Sequence, residues 1–354
     1  MNYDDFYLPD GWINMRKIIE MGYPFNFIWS QRGPGKTFGT LEYCLEEGRK
    51  MFFLRRRPAQ VGVVCSPDHF MLRPVLQKHP EFGDVSANKV RIPESNLCYY
   101  TFNKRDEEGN LSAPIGKAAA LSTFASLRGF DGSDVDTIFF DEFVPQADEK
   151  PIPEEDGAFF NCYESINRNR EFIGAPPVQV ICCANSNNIA NPIFLSLGLV
   201  NQAAKMQDGE QKLYTNDKRG LLMFNAVGNV SFMEKKKKTA LYNLVGEKSA
   251  FSKMALQNEF ADYDHTRISS RPLREFRPLF RVGELSLYEH KSNGRYYATT
   301  HNSGQCASYS SSSSDLIAAR RAYAWVWARY LCGLIDCEDV VSKVLLEKYF
   351  GGRS

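Results

Sequence analysis

One stretch of the sequence combines the residue types that can hold a polyphosphate. It reads Ser30-Gln31-Arg32-Gly33-Pro34-Gly35-Lys36-Thr37 and follows the apolar run 25–29. Glycines let backbone N–H groups approach an anion closely, and the N-terminus of a following helix adds a partial positive charge. In loops of this kind the Lys reaches the β and γ phosphates and the Thr hydroxyl holds Mg²⁺. We therefore predict a phosphate-binding loop formed by this whole stretch, with Lys36 on the phosphates and Thr37 on the metal.

The stretch departs once from the usual pattern, G-x-x-x-x-G-K-[ST], because Ser30 stands at the first glycine position. The alternative interpretation is a Gly/Pro turn before an ordinary helix. A second stretch favours the phosphate loop, since the apolar run 137–140 ends in Asp141 and Glu142. Ligands of open α/β sheets bind at the carboxyl ends of such strands. Asp141 would support the metal and Glu142 would activate the attacking water, so the two motifs together predict a nucleoside triphosphatase.

The elements around these motifs alternate between strands and helices. Apolar runs at 51–54 and 178–184 and a helical pattern at 36–47 predict an α/β fold, a P-loop NTPase sheet with flanking helices. The strand at 178–184 ends in a polar tip that includes Asn185 and Asn187. These two side chains would lie beside the γ-phosphate, and the alternative is a capped strand end.

The length of 354 residues is sufficient for two domains. The strand and helix pattern weakens near residue 195, and glycines interrupt it up to about residue 250. We predict a P-loop domain at 1–195, a linker or small lid at 196–250 and a smaller α+β domain at 251–354. No apolar run approaches 20 residues, the acidic N-terminus has no signal pattern, and the nine cysteines are scattered. These observations predict a cytosolic protein with reduced thiols and no membrane span.

The charge is divided unevenly along the chain. Residues 1–230 carry 24 Lys and Arg against 29 Asp and Glu, whereas residues 231–354 carry 19 against 13. The basic C-terminal part favours contact with a polyanion, and the alternative is an uneven solvated surface. Six cations are predicted to contact nucleic-acid phosphates: Lys235, Lys236, Lys237, Lys238, Arg271 and Arg274.

Three features resemble a known family, the φ29-like phage DNA-packaging ATPases. They are Arg32 four residues before Lys36, the tripeptide Leu127-Arg128-Gly129, and the segment Phe140-Asp141-Glu142-Phe143. The resemblance implies an ATPase domain of the additional-strand, catalytic-Glu type that uses ATP and Mg²⁺. It also implies a homo-oligomeric ring, a pentamer, that drives double-stranded DNA through a capsid portal in the cytoplasm of an infected bacterium. The C-terminal domain would resemble an RNase H-like fold without nuclease activity, and a structural RNA as a further partner is left open.

The resemblance also suggests roles for three arginines. Arg32 lies beside the phosphates and would sense the γ-phosphate within its own subunit. A ring ATPase needs a cation that stabilises charge on the transferring phosphoryl group, and Arg168 or Arg170 would supply it to the neighbouring subunit. A surface arginine in a salt bridge is the alternative for each of these two.

Two other functions remain open at this stage. A terminase-like enzyme would also cleave DNA, using carboxylates chosen from Asp262, Asp264, Glu284, Glu289 and Asp315. None of these acids stands in a diagnostic pattern. A nucleotide-gated assembly switch would bind ATP without continuous turnover, but the adjacent Asp141 and Glu142 argue against it because a switch has less use for a water-activating acid.

Overall fold

The computed structural model describes residues 3–93, 97–124, 126, 130–145, 149, 152–185, 191–207, 211–226, 230–245 and 267–351. The chain divides into two compact units. The first is formed by Met1–Ile193 and Met206–Ala261, and the second by Phe194–Lys205 and Asp262–Ser354. Among the described helices, none has the length and apolar character needed to cross a membrane.

A nine-stranded sheet forms the centre of the first unit. Its strands are β1 Phe25–Trp29, β2 Met51–Arg55, β3 Val85–Arg91, β4 Cys98–Lys104, β5 Gly116–Ala120, β6 Thr137–Asp141, β7 Gln179–Ala184, β8 Leu213–Asn216 and β9 Leu221–Asn225. Their spatial order is β3-β4-β5-β2-β6-β7-β1-β9-β8. The five strands from β5 through β2, β6 and β7 to β1 are parallel, and so is β9 beside β1, whereas β3, β4 and β8 are antiparallel to their neighbours.

The central strands are apolar on both faces because both faces are covered. Phe27 of β1, Phe139 of β6 and Ile181 of β7 are fully buried. Such continuous apolar strands are typical of parallel sheets with helices on both sides. The parallel pairing brings the carboxyl ends of β1, β6 and β7 to one edge of the sheet. The predicted α/β fold is confirmed.

Ten helices precede residue 246 in the described part of the chain. They are α1 Met15–Ile19, α2 Lys36–Glu46, α3 Pro58–Val64, α4 Arg73–Lys78, α5 Leu121–Phe124, α6 Glu155–Asn167, α7 Pro192–Ser196, α8 Val200–Gln207, α9 Val230–Lys237 and α10 Ala240–Val245. Short 3₁₀ turns lie at Tyr3–Phe6, Pro67–His69, Pro80–Phe82, Arg170–Ile173 and Asp217–Arg219. Helix α2 begins at Lys36, so the phosphate-loop stretch runs directly into a helix N-terminus.

The predicted linker or lid at 196–250 is wrong for its central part. Residues 213–216 and 221–225 form β8 and β9, and β9 pairs in parallel with β1, the strand that precedes the phosphate-loop stretch. Of the glycines that weakened the pattern, Gly220 has a local role, since it takes a left-handed conformation (φ 59°) in the turn before β9. The predicted domain boundaries also differ from the two units, because Phe194–Lys205 belongs to the second unit.

The second unit contains a five-stranded mixed sheet. Its strands are β10 Phe276–Val282, β11 Leu285–His290, β12 Tyr296–Thr299, β13 Ala307–Tyr309 and β14 Ile335–Cys337, in the order β13-β10-β11-β12-β14. β10, β11 and β12 are antiparallel, while β13 and β14 run parallel to their neighbours β10 and β12. Three helices follow or cover the sheet, α11 Ser313–Ala322, α12 Trp325–Leu331 and α13 Val340–Phe350, and a 3₁₀ turn lies at Leu273–Glu275. The α+β character is as predicted, and the RNase H-like assignment stays a prediction.

Candidate nucleotide site

The phosphate loop has the backbone conformation that its sequence predicts. Gly33 and Gly35 have φ values of 103° and 90°. This left-handed region of backbone conformation is strained for residues that carry a side chain. A Cβ atom at Gly35 would come within 2.4 Å of the Trp12 ring. The N-terminal segment reaches the same loop through its backbone, since the Ile13 N–H donates to the Pro34 carbonyl at 2.9 Å. Residues 12–13 therefore hold the loop from outside and require glycine at position 35.

The Lys36 side chain is buried and lies along the inside of the loop. Its ammonium donates to Ser30 Oγ at 2.5 Å, to the Gln31 carbonyl at 3.2 Å and to Asn185 Oδ1 at 2.9 Å. Burial lowers the pKa of Lys36 to about 8. The serine at the first glycine position of the motif thus provides an acceptor for Lys36, and Asn185 joins β7 to the loop.

The predicted metal pair lies together at the carboxyl edge of the sheet. Thr37 Oγ1 donates to Asp141 Oδ1 at 3.1 Å, although 104 residues separate the two in sequence. Asp141 is the last residue of β6 and is 3% exposed. Burial raises its pKa, while Arg55 and the Thr37 hydrogen bond act in the opposite direction. A hydroxyl beside a buried carboxylate is a hard oxygen donor set that suits Mg²⁺.

Glu142 turns out of the strand and faces two partners. Its backbone is left-handed, with φ 56°, a strained conformation for a residue with a side chain. One carboxylate oxygen pairs with Arg55 Nη1 at 2.5 Å and the other accepts from Asn185 Nδ2 at 3.4 Å. Asn185 therefore bridges Lys36 and Glu142, the two residues that would lie on either side of the transferring phosphoryl group.

Arg55 belongs to the site, although its sequence position, among three cations at a strand end, fits a phosphate contact, a neighbouring subunit or a solvated turn equally well. It ends β2, its side chain is 14% exposed, and its guanidinium contacts both Asp141 (2.7 Å) and Glu142 (2.5 Å). The only signal in the sequence is three cations, Arg55 to Arg57, at a strand end. The three diverge, because Arg56 is buried against Glu155 and Arg57 lies at the start of α3.

The arrangement fits a nucleotide with its metal. Both polar atoms of the Gln31 side-chain amide are buried and have no hydrogen-bond partner among the described residues. Buried polar groups of this kind usually have a partner, and a phosphate group in the loop would supply one. Lys36, Thr37 and the backbone of the loop would hold the phosphates, and Asp141 with Thr37 would hold Mg²⁺.

We expect Arg55→Gln to strengthen divalent-metal binding in the absence of nucleotide. The substitution removes a cation that contacts the metal-supporting Asp141, so the apparent Kd for Mn²⁺ should fall about tenfold at low salt. Titration calorimetry with Mn²⁺ measures the change, and Arg57→Gln serves as the matched control. An unchanged Kd in a variant that melts like a folded protein would contradict the contact between Arg55 and Asp141.

The structure does not bring Arg168 and Arg170 to the site of their own chain. Arg168 follows α6, pairs with Asp131 at 3.4 Å and donates to the Phe130 carbonyl at 3.3 Å. Arg170 donates to the carbonyls of Ser133 and Val135. These partners precede β6, at the amino end of the strand that ends in Asp141. The two arginines therefore lie at the opposite edge of the sheet from the phosphate loop.

The remaining predicted residues are distributed as follows. Arg32 is exposed on the phosphate loop. Lys235 Nζ donates to the Asp10 carbonyl at 3.0 Å, and Lys236 Nζ donates to the Arg32 carbonyl. Lys238 is exposed just after α9.

In the second unit, Arg271 is half exposed near Asp336 (3.5 Å) and Arg274 is exposed. Asn187, the Leu127-Arg128-Gly129 tripeptide, Asp262 and Asp264 lie outside the described residues.

The other predicted nuclease acids show no convergence. Glu289 pairs with Arg277 at 2.7 Å, and Asp315 accepts from the Ser310 N–H at 2.7 Å. Within the described part of the chain, groups of three metal-ligating side chains occur only in the first unit, at Glu42, Glu46 and His79.

Fold and site together define the class of the protein. Strand β7 lies between the phosphate-loop strand β1 and the acid-pair strand β6, and Glu142 follows the metal-supporting Asp141. This is a P-loop fold of the additional-strand type with an adjacent acidic pair.

The chain belongs to the Podovirus DNA encapsidation protein (Gp16) family, whose model matches residues 107–289, just over half of its length. The matched segment includes the acid pair and Asn185 but begins after the phosphate loop. The family predicted from the sequence is confirmed.

Curated relatives and solved structures agree with this membership. The DNA packaging proteins of Bacillus phages PZA and phi29 are each 24% identical over 263 residues, which cover 73% of this chain and 68% of theirs. The bacteriophage Phi-29 viral genome packaging motor assembly superposes with a TM-score of 0.65 at 21% identity, over 96% of this chain and 98% of the other. The Phi-28 gp11 DNA packaging motor gives 0.62 at 14% identity, over 98% and 97%. At these identities the solved structures show the fold alone.

Proposed function

We propose that this protein hydrolyses ATP with Mg²⁺ to drive double-stranded viral DNA into a preformed capsid. One observation carries the proposal: in a chain of the DNA encapsidation family, five side chains form a set of contacts at one sheet edge that Arg55 joins together. They are Lys36, Thr37, Asp141, Glu142 and Asn185. A family of encapsidation proteins needs an energy source, and these residues are the ones that phosphoryl transfer from a nucleotide requires.

The residues divide the chemistry between them. Lys36 and the backbone of the loop neutralise charge on the phosphates, and Thr37 and Asp141 orient the metal, which shields the phosphate oxygens when bound. Glu142 accepts the proton of the attacking water, for which it must leave the guanidinium of Arg55. Asn185 contacts both Lys36 and Glu142 and keeps the base in register with the phosphates.

A ring ATPase needs a cation that stabilises charge on the transferring phosphoryl group, and we propose that a neighbouring subunit supplies it. We assign this role to Arg168 in preference to Arg170. Arg168 is half exposed and adjoins Asn169, and both residues have left-handed backbones (φ 46° and 56°), a strain that often marks functional positions. The guanidinium of Arg170 instead donates to the backbone carbonyls of Ser133 and Val135, which precede β6. The proposed assembly is a ring of five copies at the portal vertex of the procapsid, in the cytoplasm of the infected host.

Contact with DNA would be mainly to phosphates, since a translocating motor must accept any sequence. Arg271, Arg274 and the exposed Lys238 are the cations proposed for it. Lys235 and Lys236 are engaged at the phosphate loop and the N-terminal segment, so they are less suited to this role.

The test is steady-state ATP hydrolysis against protein concentration, with and without double-stranded DNA. We expect turnover per chain to rise with concentration, because the site is completed by a neighbour, and to rise further with DNA. Lys36→Ala should abolish turnover under all conditions, whereas Lys218→Ala, at an exposed turn before β9, should behave as wild type. Flat, DNA-independent turnover would contradict the motor and favour the nucleotide-gated switch. Loss of supercoiled plasmid with Mg²⁺ would instead favour the DNA-cleaving alternative.

A further inference from the structure

Helix α9 brings a lysine onto the phosphate loop from far away in the chain. Lys236 Nζ donates to the carbonyl oxygen of Arg32, 204 residues earlier in the sequence. Its neighbour Lys235 donates to the Asp10 carbonyl at 3.0 Å, in the N-terminal segment that also binds the loop at Pro34. The loop is therefore covered by two separate parts of the first unit, the N-terminal segment and α9. Helix α9 contributes a positive charge to this cover.

Three cations meet around the loop. Burial lowers the pKa of half-buried Lys236, and the charge of Arg32 lowers it further. Burial is also the main cause of the lowered pKa of Lys36, and the charge of Lys236 acts in the same direction. Like charges held together in a partly desolvated place repel one another, and an anion between them relieves the repulsion. The cluster is therefore more favourable with a polyphosphate present than without one.

We propose that Lys236 is a nucleotide-binding residue that contacts the triphosphate together with Arg32 and Lys36, and this inference rests on the ATPase function proposed above. A carbonyl is a weaker acceptor for an ammonium group than a phosphate oxygen, because charge-assisted hydrogen bonds are about twice as strong as neutral ones. The flexible four-carbon stem of lysine allows the ammonium to exchange one acceptor for the other. The contact with the Arg32 carbonyl therefore holds Lys236 against the loop that would bind the triphosphate.

The contact has a consequence for the elements that follow it. Lys236 also lies over the ring of Tyr242 in α10, with Nζ 5.6 Å from the ring centroid, and Tyr242 is buried. Helices α9 and α10 are the last described elements before residues 246–266, after which the chain enters the second sheet. The contacts of Lys236 thus connect the proposed nucleotide site with α9 and α10, which precede the second sheet in the chain.

The experiment compares nucleotide binding by wild type, Lys236→Met, Lys236→Arg and Lys218→Met. Lys218 is the matched control, since it is an exposed lysine in the turn before β9, at the amino end of a strand parallel to β1. Titration calorimetry gives the Kd for Mg-ATP, ADP and AMP, and melting curves are recorded with and without ATP. We expect Lys236→Met to raise the Kd for Mg-ATP about 3- to 10-fold, to affect AMP less than twofold, and to reduce the ATP-induced rise in Tm. Lys236→Arg should restore most of the affinity, and Lys218→Met should match wild type.

A purely structural role for Lys236 gives a different pattern, which would overturn the proposal. Lys236→Met would then melt lower without nucleotide and lose affinity equally for ATP and AMP. An unchanged Kd for Mg-ATP in Lys236→Met would overturn the proposal as well. If that variant also lost affinity for double-stranded DNA, Lys236 would have the DNA-binding role predicted from the sequence. Different results would contradict the underlying ATPase function: no ATP binding by wild type, or ATP binding by Lys36→Ala that equals that of wild type.

Discussion

Glu142→Gln should lower the rate of ATP hydrolysis about 10²- to 10⁴-fold and leave ATP binding close to that of wild type. The amide keeps the size of the side chain and can still accept the hydrogen bond of Asn185, but it cannot take a proton from water. Glu142 contacts Arg55 and Asn185 and has no direct contact with Lys36 or Thr37 in the described structure, so the phosphate-holding part of the site is preserved. Single-turnover hydrolysis and nucleotide titration measure the two effects separately.

Two controls make this result specific. Glu164→Gln applies the same chemical change to an exposed position of α6 and should leave both quantities unchanged. Lys36→Ala should instead lose ATP binding, because the Lys36 ammonium lies inside the loop against Ser30 and the Gln31 carbonyl. Wild-type turnover in Glu142→Gln would show that a different group activates the water.

The residues that the sequence predicted correctly as neighbours share one property. Lys36 and Thr37 follow one central strand, Asp141 and Glu142 end a second, and Asn185 ends a third. Carboxyl ends of parallel strands meet at one edge of a sheet, so the motif positions alone place these side chains together. The contacts of Lys36 with Asn185 and of Thr37 with Asp141 bear this out.

The residues that the sequence did not assign depend on tertiary arrangement. Arg55 reaches the acid pair because β2 lies beside β6, and strand order is not encoded in any local pattern. Lys236 reaches the loop across 204 residues, in a run of four lysines whose composition suggests nucleic acid rather than a nucleotide. The glycine-interrupted region near residue 220 contains β9 because the apolar run 221–225 is stabilised by its pairing with β1. Its short length gave no periodicity from which to separate a strand from a loop.

Arg56→Met should reduce the free energy of unfolding of the first unit by about 3–5 kcal/mol, because it leaves a buried carboxylate without its cation. Arg56 is 1% exposed and holds Glu155 with two bonds, from Nε at 2.5 Å and from Nη2 at 2.6 Å, and it pairs with Glu149 at 2.6 Å. Glu155, at the start of α6, is itself 2% exposed, so it cannot regain hydration when the arginine is lost. Arg56→Lys should be destabilising too, since one ammonium cannot reproduce the planar fork. Urea unfolding followed by fluorescence measures both variants.

The double variant Arg56→Met/Glu155→Leu decides whether the buried charge is the cause. Replacing both partners with apolar groups removes the desolvated carboxylate, so most of the lost stability should return. If the two substitutions acted independently, their losses of unfolding free energy would instead add. Arg57→Ala is the matched control: its side chain is 32% exposed and lies 4.0 Å from Glu149, and it should change the stability by less than about 1 kcal/mol. If Arg56→Met were no more destabilising than Arg57→Ala, the buried pair would contribute nothing to holding α6 against the end of β2. Because Arg55 precedes Arg56 on that strand end, a loss of stability there would also loosen the guanidinium that contacts Asp141 and Glu142.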